Sequence, residues 1–370
     1  MNKCTILFVL HMPPPVHGAA MVGKYVHESE LINSEFDCHY INLATASGLE
    51  DIGKFKIKKL LLFWKLLCNI IQAVREINPS LVYITPNAKG GPFYKDFIVV
   101  MMLKMMGCKI VAHYHNKGVA SRQNNIIDNF LYQRFFKGLK VILLSERLYT
   151  DIQKYVRKKD VYICPNGIPG DIIANKRMAH HVPRILFLSN LLIEKGVLGL
   201  LDALKIIKDN EHSFVCDFVG SETSEVDANR MNEEICSRNL QDVVNYHGKR
   251  LSKDKDVFWE NADLFVFPSY YQNECLPLVL LEALQHSLPI ITTDEGGIPD
   301  IVKDGENGLI CENRNPKDLA EKISLLLNDP QLRTKMGQDG YRKYKEHFTL
   351  ESFERRLIEI FENILPLWGS

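Results

Sequence analysis

At 370 residues, the chain exceeds the size at which single hydrophobic cores stop growing, so two domains are expected rather than one. Lys plus Arg and Asp plus Glu number 45 each, which argues against a global basic field that would attract nucleic acid. The nine cysteines contain no CxxC pair, which argues against a disulfide framework or structural zinc and favours reduced cytoplasmic thiols.

The first residues, MNKCTILFVLHMPPP, contain an apolar run that is too short for a secretory signal and predicts a strand. From there, short apolar runs alternate with longer helical patterns, which is typical of βαβ units and parallel sheets. The predicted strands are 4–10, 81–84, 109–115, 140–145 and 161–166, then 184–190, 213–220, 243–248, 263–269, 288–293 and 308–312.

A polar stretch without a sustained period, DIIANKRMAHHVP (171–183), separates the two sets of strands and predicts a linker. The expected fold is α/β, with two Rossmann-like domains facing across a cleft, at 1–175 and 183–348. Ligands of such sheets bind at the carboxyl ends of the strands. An apolar stripe in FTLESFERRLIEIFENIL predicts a last helix, about 350–370, that crosses back to the first domain.

Two apolar segments of the first domain differ in their interpretation. KFKIKKLLLFWKLLCNIIQAVREI (54–77) is lysine-rich at its start and carries more apolar surface than a core helix needs. An interfacial helix on an anionic membrane explains this pattern, and so does a buried helix with a lysine-rich start. The segment is too short to span a bilayer comfortably. FIVVMMLKMMG (97–107) is predicted to lie in the core.

Residues 273–302, NECLPLVLLEALQHSLPIITTDEGGIPDIV, place Glu274 and Glu282 on either side of an apolar run. Pro277 suits the first turn of a helix because its missing N–H is not needed there, so a helix is predicted over 277–286. The start of that helix would favour phosphate, and the carboxylates would accept hydrogen bonds from hydroxyl groups. The alternatives are a helix-capping acid for Glu274 and a solvated helix carboxylate for Glu282.

Five motifs occur in a fixed order: PNGI (165–168), EKG (194–196), the two glutamates with seven residues between them, LPIITTDEGGIPDIV and DGENGLI. Together they resemble the retaining glycosyltransferases of family four, which have the GT-B fold. PPPVHGAA near the start resembles a bacterial branch that builds surface polysaccharides. The resemblance spans nearly the whole chain and implies an acceptor-binding first domain and a nucleotide-sugar-binding second domain.

The resemblance also implies a role for each matching residue. Glu274 would hold hydroxyls of the donor sugar, and Glu282 would bind the 2′- and 3′-hydroxyls of the ribose. Lys195 would stabilise the charge that grows on the leaving diphosphate. His115 would lie near the sugar and the acceptor, and together with Lys195 and Glu274 it makes up the catalytic set.

Smaller groups complete the donor site that the resemblance implies. Gly18 would let the backbone approach the phosphate or the sugar closely, and Gly248 would frame the base. The remaining donor-binding residues are Asn190, Leu276, Pro277 and Leu278. Asn190 stands where the family commonly has an arginine, so Lys195 would carry more of the charge, with Lys249 or Arg250 as further candidates.

Several of these assignments have alternatives. Lys195, followed by Gly196, would otherwise belong to an ordinary turn before a helix. His113 and His17 compete with His115 for the role near the acceptor. Gly18 would otherwise only relieve crowding at the strand-to-helix turn. Gly296 and Gly297 either form the turn before a helix or contact the sugar through their backbone.

The predicted reaction needs no cofactor and no metal, because Asp294 and Glu295 in TTDEGG are not a spaced Asp-x-Asp and no HExxH or Cys/His set occurs. The resemblance implies transfer of a hexosyl or N-acetylhexosaminyl group with retention, from a UDP-sugar to a saccharide or polyprenyl-linked saccharide. The rival functions are a sugar-nucleotide epimerase of the same fold and a non-catalytic sugar-nucleotide binding module. The expected location is the cytoplasm, with a peripheral position on the inner face of the membrane if 54–77 binds lipid.

Overall fold

The computed structural model describes residues 3–14, 16–43, 56–170, 181–250 and 253–366. The chain divides into two compact units, the first formed by Met1–Gly167 with Leu350–Ser370 and the second by Ile168–Thr349. The division at Gly167 precedes the predicted linker, most of which lies outside the described residues. Residues 168–170 join the second unit because the Ile168 N–H donates to the Phe348 carbonyl (3.1 Å) and the Gly170 carbonyl accepts from Gln285 and Tyr344.

The described part of the first unit contains a parallel sheet with the strand order β2-β1-β3-β4-β5-β6. Its strands are β1 (Thr5–Leu10), β2 (Asp37–Asn42), β3 (Leu81–Ile84), β4 (Ile110–Tyr114), β5 (Lys140–Leu143) and β6 (Val161–Ile163). Its helices are α1 (Gly18–Glu28), α2 (Glu30–Glu35), α3 (Lys56–Ile77), α4 (Gly90–Met105), α5 (Val119–Arg122), α6 (Ile126–Phe136), α7 (Tyr149–Ile152) and, from the C-terminus, α15 (Leu350–Ile364).

Strand β2 is the one strand of this sheet that the sequence analysis missed. Its sequence, DCHYIN, is mostly polar because it forms the edge of the sheet and pairs with β1 alone, in the register Thr5↔Asp37 to Leu10↔Asn42. Edge strands are half-solvated and lack the continuous apolar run of central parallel strands. Strands β1, β3 and β4 are central and almost fully buried, which explains why their apolar runs were recognisable.

Helix α15 packs on the first unit, which confirms the predicted return of the C-terminus. Phe361 is fully buried, and its ring lies 6.0 Å from Phe8 of β1, 5.7 Å from Tyr83 of β3 and 5.8 Å from Phe36. Its contacts with Phe8 and Tyr83 are edge-to-face, a geometry that aromatic rings favour. The last helix therefore completes the core of the unit that contains the N-terminus.

The second unit contains, in its described part, a second parallel sheet with the order β12-β11-β10-β7-β8-β9. Its strands are β7 (Arg184–Leu188), β8 (Val215–Val219), β9 (Val244–Tyr246), β10 (Leu264–Phe267), β11 (Ile290–Thr293) and β12 (Gly308–Cys311). Its helices are α8 (Val197–Asp209), α9 (Ala228–Ser237), α10 (Lys253–Asn261), α11 (Leu278–Gln285), α12 (Ile298–Ile301), α13 (Pro316–Asn328) and α14 (Pro330–His347). This is the Rossmann strand order, in which the direction of winding reverses between β7 and β10.

The core of the second unit is built from the predicted apolar runs. All six strands predicted after the linker are present, and each is one to three residues shorter than its apolar run. On α13, the apolar positions Leu319, Ile323, Leu326 and Leu327 are buried against the sheet and α8. The helical period in the sequence therefore identified the buried face.

We expect Phe361→Ala to destabilise the chain by ~3–5 kcal/mol, because it leaves a cavity among the aromatic rings under α15. The matched control is Phe130→Ala, where the ring is 50% exposed and the expected loss is under ~1 kcal/mol. Urea denaturation followed by circular dichroism measures both. Equal losses for the two variants would contradict the docking of α15 on the first unit.

Candidate active site

The reversal of winding in the second sheet brings two loops together at the carboxyl ends of β7 and β10. The loop after β7 carries Asn190 and Lys195 into α8, and the loop after β10 carries Glu274 and Pro277 into α11. Because consecutive helices leave this point on opposite sides, a crevice forms there in doubly wound sheets, and ligands bind in it. The predicted donor site thus lies at the switch point of the second sheet.

Lys195 and Glu274 are in direct contact, although 79 positions separate them in the sequence. The Lys195 ammonium donates to Glu274 Oε2, and it also lies 4.7 Å from the ring centre of Tyr271 and 5.3 Å from that of Phe267. Glu274 is 8% exposed and accepts a further hydrogen bond from Ser269 Oγ at 3.2 Å. A nearly buried carboxylate needs such partners, because an unpaired charge there would be strongly disfavoured.

Two glycines fix the loops that bear this ion pair. Gly196 has φ +88°, and a Cβ on it would lie 2.4 Å from the Pro268 carbonyl oxygen at the end of β10. Gly296 has φ +58°, and a Cβ on it would lie 2.3 Å from the carbonyl oxygen of Glu274 itself. The N–H of Gly297 donates to the Cys275 carbonyl at 2.7 Å. The turn at 296–297 therefore supports the glutamate loop, in agreement with the structural alternative for these glycines.

Helix α11 begins at the same edge of the sheet, one residue later than predicted. Pro277 is the N-cap residue and Leu278 the first helical residue. The side chains of Leu276 and Pro277 are buried, so only their backbone atoms and the half-buried Leu278 remain for a ligand. The positive end of the α11 dipole lies at the switch point, where it favours an anion.

Glu282 is paired with a lysine that the sequence analysis did not identify. Lys255 of α10 donates to both oxygens of Glu282, at 2.8 Å each, and the side chains are 24% and 21% exposed. Burial raises the pKa of Glu282, while the Lys255 charge opposes that shift. Glu282 is thus a partly exposed helix carboxylate that is hydrogen-bonded to Lys255. No local pattern connects positions 255 and 282, so only the packing of α10 on α11 could reveal the pair.

Asn190 and Gly248 lie in the loops that follow β7 and β9. Asn190 is exposed. The preceding residue, Ser189, packs closely against Gly220, where a Cβ would lie 1.7 Å from the Ser189 carbonyl oxygen. Gly248 has φ +69° and accepts from the Gly220 N–H at 3.0 Å. The following Lys249 is exposed. These residues share the carboxyl edge of the second sheet with Lys195.

The histidines of the first unit divide into a structural one and a group at the sheet edge. His113 is fully buried within β4, and its Nδ1 lies 2.7 Å from the Tyr83 hydroxyl, so it belongs to the core. His115 follows β4 at the carboxyl edge, where burial lowers its pKa to about 4. Its ring therefore stays neutral at physiological pH. The geometry favours His115 over His113 for a ligand-facing role.

His11 is a further histidine at this edge that the sequence analysis missed. It follows β1, and its Nε2 accepts from the side-chain amide of Asn87, which follows β3, at 3.3 Å. The same amide donates to the buried Asp96 at 2.9 Å. Burial and the Lys95 charge lower the pKa of His11 to about 3. The signal was available, because His11 follows the first strand as His115 follows the fourth.

Gly18 and His17 stand at the start of α1, above the same sheet edge. His17 caps the helix, its Nδ1 accepting from the Ala20 N–H at 3.3 Å, which is a structural role. A Cβ on Gly18 would meet no described atom within 4 Å, so crowding does not explain this glycine. The crowded glycine of α1 is Gly23, where a Cβ would lie 1.9 Å from the His11 carbonyl oxygen.

Residues 171–343, which form most of the second unit, match the family described as Glycosyl transferases group 1. The second unit is therefore similar to the group 1 glycosyl transferases over this segment. The switch-point residues Asn190, Lys195, Glu274 and Glu282 all lie within the matched segment.

Several curated relatives of the chain have glycosyltransferase names. An uncharacterized glycosyltransferase of Methanocaldococcus jannaschii is 27% identical over 245 residues, which cover 65% of both chains. The capsular polysaccharide biosynthesis glycosyltransferase CapM of Staphylococcus aureus is 28% identical over 179 residues (48% and 46% of the two chains). The N,N'-diacetylbacillosaminyl-diphospho-undecaprenol alpha-1,3-N-acetylgalactosaminyltransferase of Campylobacter jejuni is 26% identical over 185 residues (49% and 46%). The chain thus covers less than two thirds of the length of these relatives.

Solved structures share the fold over nearly the whole chain. A glycosyltransferase from Rickettsia africae has a TM-score of 0.75 at 20% identity and covers 100% of both chains. Anabaena Alr3699/HepE in complex with UDP has a TM-score of 0.74 at 15% identity, covering 97% of this chain and 100% of that one. These likenesses and the two parallel sheets confirm the predicted fold class, an α/β GT-B chain with two Rossmann-like domains.

We expect Gly296→Ala to destabilise the second unit by ~2–5 kcal/mol, because the new Cβ combines a left-handed backbone with a clash against the Glu274 carbonyl oxygen. Gly305→Ala is the matched control, since Gly305 has φ +76° but open space around it, and should lose only ~1–2 kcal/mol. Thermal unfolding measures the difference. A Gly296→Ala variant as stable as the control would contradict the close packing of the two loops.

Stability should fall as the pH drops below about 6.5, because His11 and His115 stay neutral in the fold but take up protons in the unfolded chain. Each histidine contributes a slope of up to about 1.4 kcal/mol per pH unit, down to its lowered pKa. Urea denaturation at pH 7 and pH 5 measures this loss of stability. The loss should be smaller in His11→Gln than in the wild type. It should be unchanged in the control His27→Gln, because His27 is exposed. An unchanged slope in His11→Gln would show that His11 does not resist protonation.

Proposed function

We propose that the chain is a retaining glycosyltransferase that moves a hexosyl or N-acetylhexosaminyl group from a UDP-sugar to a saccharide or lipid-linked saccharide in bacterial polysaccharide biosynthesis. The observation that carries this proposal is the contact between Lys195 and Glu274 at the switch point of a unit that is similar to the group 1 glycosyl transferases. It combines a cation for a diphosphate with an acceptor of sugar hydroxyl hydrogen bonds. The UDP in the Anabaena structure supports the choice of base.

The ion pair suggests how the donor is bound. The Lys195 ammonium and the Glu274 carboxylate neutralise each other in a direct ion pair. An ammonium has three donors, so Lys195 can turn one toward a phosphate oxygen while another remains on Glu274. Glu274 has a second oxygen for sugar hydroxyls. The positive end of the α11 dipole stabilises the diphosphate. Glu282 gives up one of its two hydrogen bonds from Lys255 and accepts hydrogen bonds from the ribose diol instead.

The proposed transfer proceeds on one face of the sugar. The acceptor hydroxyl oxygen forms a bond to the anomeric carbon on the face from which the diphosphate leaves. The bond between that carbon and the β-phosphate oxygen breaks, and the acceptor proton passes to the departing phosphate. Lys195 stabilises the negative charge that grows on the diphosphate, and binding energy of this kind lowers the barrier only because it strengthens in the transition state. We further propose that Lys195 and backbone N–H groups meet this charge without a divalent metal.

Acceptor recognition is assigned in this proposal to the first unit. His11, Asn87 and His115 gather at the carboxyl edge of its sheet, where neutral rings and an amide can hydrogen-bond sugar hydroxyls. The capsular polysaccharide enzyme and the diphospho-undecaprenol-linked substrate in the relatives' names support a saccharide or a lipid-linked saccharide. A non-catalytic sugar-nucleotide binding module is the second candidate, because Asn190 brings no charge to the diphosphate.

A panel of UDP- and GDP-sugars, with and without polyprenyl-linked acceptors, tests the proposal by nucleotide release and product analysis. Acceptor-dependent release of UDP with retained anomeric configuration is the expected result, and it should persist in EDTA. Isomerised donor without acceptor would instead identify an epimerase. Tight donor binding without either reaction would identify the binding module.

Lys195→Ala should lower kcat by about 10²–10³-fold, since it removes the charge opposite the leaving diphosphate. Glu282→Ala should weaken UDP binding by roughly 10–100-fold, through loss of hydrogen bonds to a charged acceptor. Steady-state kinetics and calorimetry separate the two effects. The matched control is Lys205→Ala on α8, where the lysine pairs with Asp209 at the surface. Full turnover by both site variants would overturn the site assignment.

A further inference from the structure

Exposed apolar side chains are concentrated on three helices of the first unit. Of the fourteen large hydrophobic side chains that are exposed in the described ranges, ten belong to α3, α4 and α6. They are Leu60, Leu61, Leu62 and Trp64 on α3, Tyr94, Ile98 and Met105 on α4, and Ile126, Ile127 and Phe130 on α6. Scattered exposed hydrophobics are normal in proteins, but a concentration on one face indicates an interaction surface.

The topology of the sheet places these three helices side by side. Helix α3 lies in the connection from β2 to β3, α4 in that from β3 to β4, and α6 in that from β4 to β5. All three connections run in the same direction across the sheet. Right-handed crossovers that run in one direction place their helices on the same face of a sheet. The opposite crossover from β1 to β2 sends α1 to the other face. All three helices also begin at the carboxyl edge of the sheet. Nine of the ten exposed side chains lie in the first nine residues of their helices, near that edge.

Direct contacts join α4 and α6 into one surface. The Tyr94 hydroxyl donates to the buried Asp128 carboxylate at 2.7 Å. At the other end, the Lys104 ammonium donates to the carbonyls of Arg134, Phe135 and Lys137, each at 2.7 Å. The inward sides of the same helices supply core residues such as Leu103 and Phe135. The outward apolar side chains are therefore not needed for folding.

The charge on these helices is one-sided, although the whole chain is neutral. Their sequences contain eight Lys and Arg residues against three Asp and Glu residues. Two of the three carboxylates, Asp96 and Asp128, are buried, whereas Lys65 is exposed and Arg134 lies 4.1 Å above the exposed Phe130 ring. Apolar side chains interleaved with cations fit an anionic bilayer, whose headgroups attract the charges while its interface accepts the rings and aliphatic groups.

We propose that the outward face of α3, α4 and α6 docks on an anionic membrane, with its apolar side chains inserted at the headgroup level. None of the described helices is long and apolar enough to cross a bilayer. The inference goes beyond the proposed transfer reaction and extends the expectation for 54–77 to two more helices. It follows that FIVVMMLKMMG is only partly core, because Val99 and Val100 are buried but Ile98 is 47% and Met105 82% exposed. Residues 54 and 55 of the segment 54–77 lie outside the described residues.

Flotation of the full chain with phosphatidylglycerol-containing vesicles tests the proposal. The wild-type protein should float with anionic vesicles at low salt and remain at the bottom with pure phosphatidylcholine. Leu61→Ser/Trp64→Ser and Ile126→Ser/Ile127→Ser should each weaken partitioning by at least about tenfold, through lost apolar burial. Val257→Ser/Leu325→Ser is the matched control, because both side chains are exposed on the second unit. Equal binding by all variants, or no binding by the wild type, would overturn the proposal.

Tryptophan fluorescence gives a second readout that does not depend on folding of the serine variants. Trp64 is 59% exposed and Trp259 is buried, so in a Trp368→Phe background the environment-sensitive emission comes from Trp64. Anionic vesicles should shift this emission to the blue, and Trp64→Phe should abolish the shift. An unshifted spectrum with vesicles present would contradict insertion of α3.

Two controls separate this proposal from others. Light scattering measures whether the wild-type protein is a dimer and whether the serine variants are monomeric. A dimer that the serine substitutions dissociate would identify the surface as a self-association interface and would overturn membrane docking. Transfer to a short-chain soluble acceptor without vesicles should be the same for wild type and surface variants. Failure of transfer in all of them, with flotation intact, would count against the proposed reaction and not against the membrane surface.

Discussion

The ion pair between Lys195 and Glu274 is the contact on which the candidate site depends. Two loops from the ends of β7 and β10 must approach closely for it to form, and glycines make that approach feasible. Gly196 lies against Pro268, and Gly296 lies against the backbone of Glu274. A side chain at either position would push the loops apart. The nearly buried Glu274 carboxylate would be unfavourable without the Lys195 charge beside it. The close backbone packing of the loops therefore makes the ion pair possible, and the ion pair in turn holds the loops together.

Both units use the same feature of doubly wound sheets for different chemistry. In the second unit, the crevice at the β7–β10 reversal collects charged groups, which suit a diphosphate. In the first unit, the reversal at β1 and β3 collects His11 and Asn87, and His115 follows the neighbouring β4. Burial keeps both rings neutral, which suits hydroxyl groups rather than phosphates. The division of labour between donor and acceptor in our proposal follows from this difference in charge.

Core and surface functions are also divided along single helices of the first unit. Helices α4 and α6 bury one side in the aromatic core around Phe93, Tyr132 and Phe135 and leave apolar side chains on the other. The stability of the folded unit explains only why the inner side of these helices is apolar. The proposed membrane docking accounts for the apolar outer side, which core packing does not explain.

The sequence by itself determined every described strand except β2, the order of the two α/β units and the return of the last helix, because buried strands and helix faces leave periodic apolar patterns. It also placed Lys195 and Glu274 in loops that follow strands, and Glu282 in the helix that follows the second of these loops. Tertiary structure alone decided which groups meet, as with Lys195 and Glu274 or Lys255 and Glu282, since these partners are 79 and 27 positions apart. The polar edge strand β2 and the buried state of His113 likewise depended on neighbours in space. Local patterns record how far a residue is buried, but pairing depends on loop geometry that no short stretch of sequence specifies.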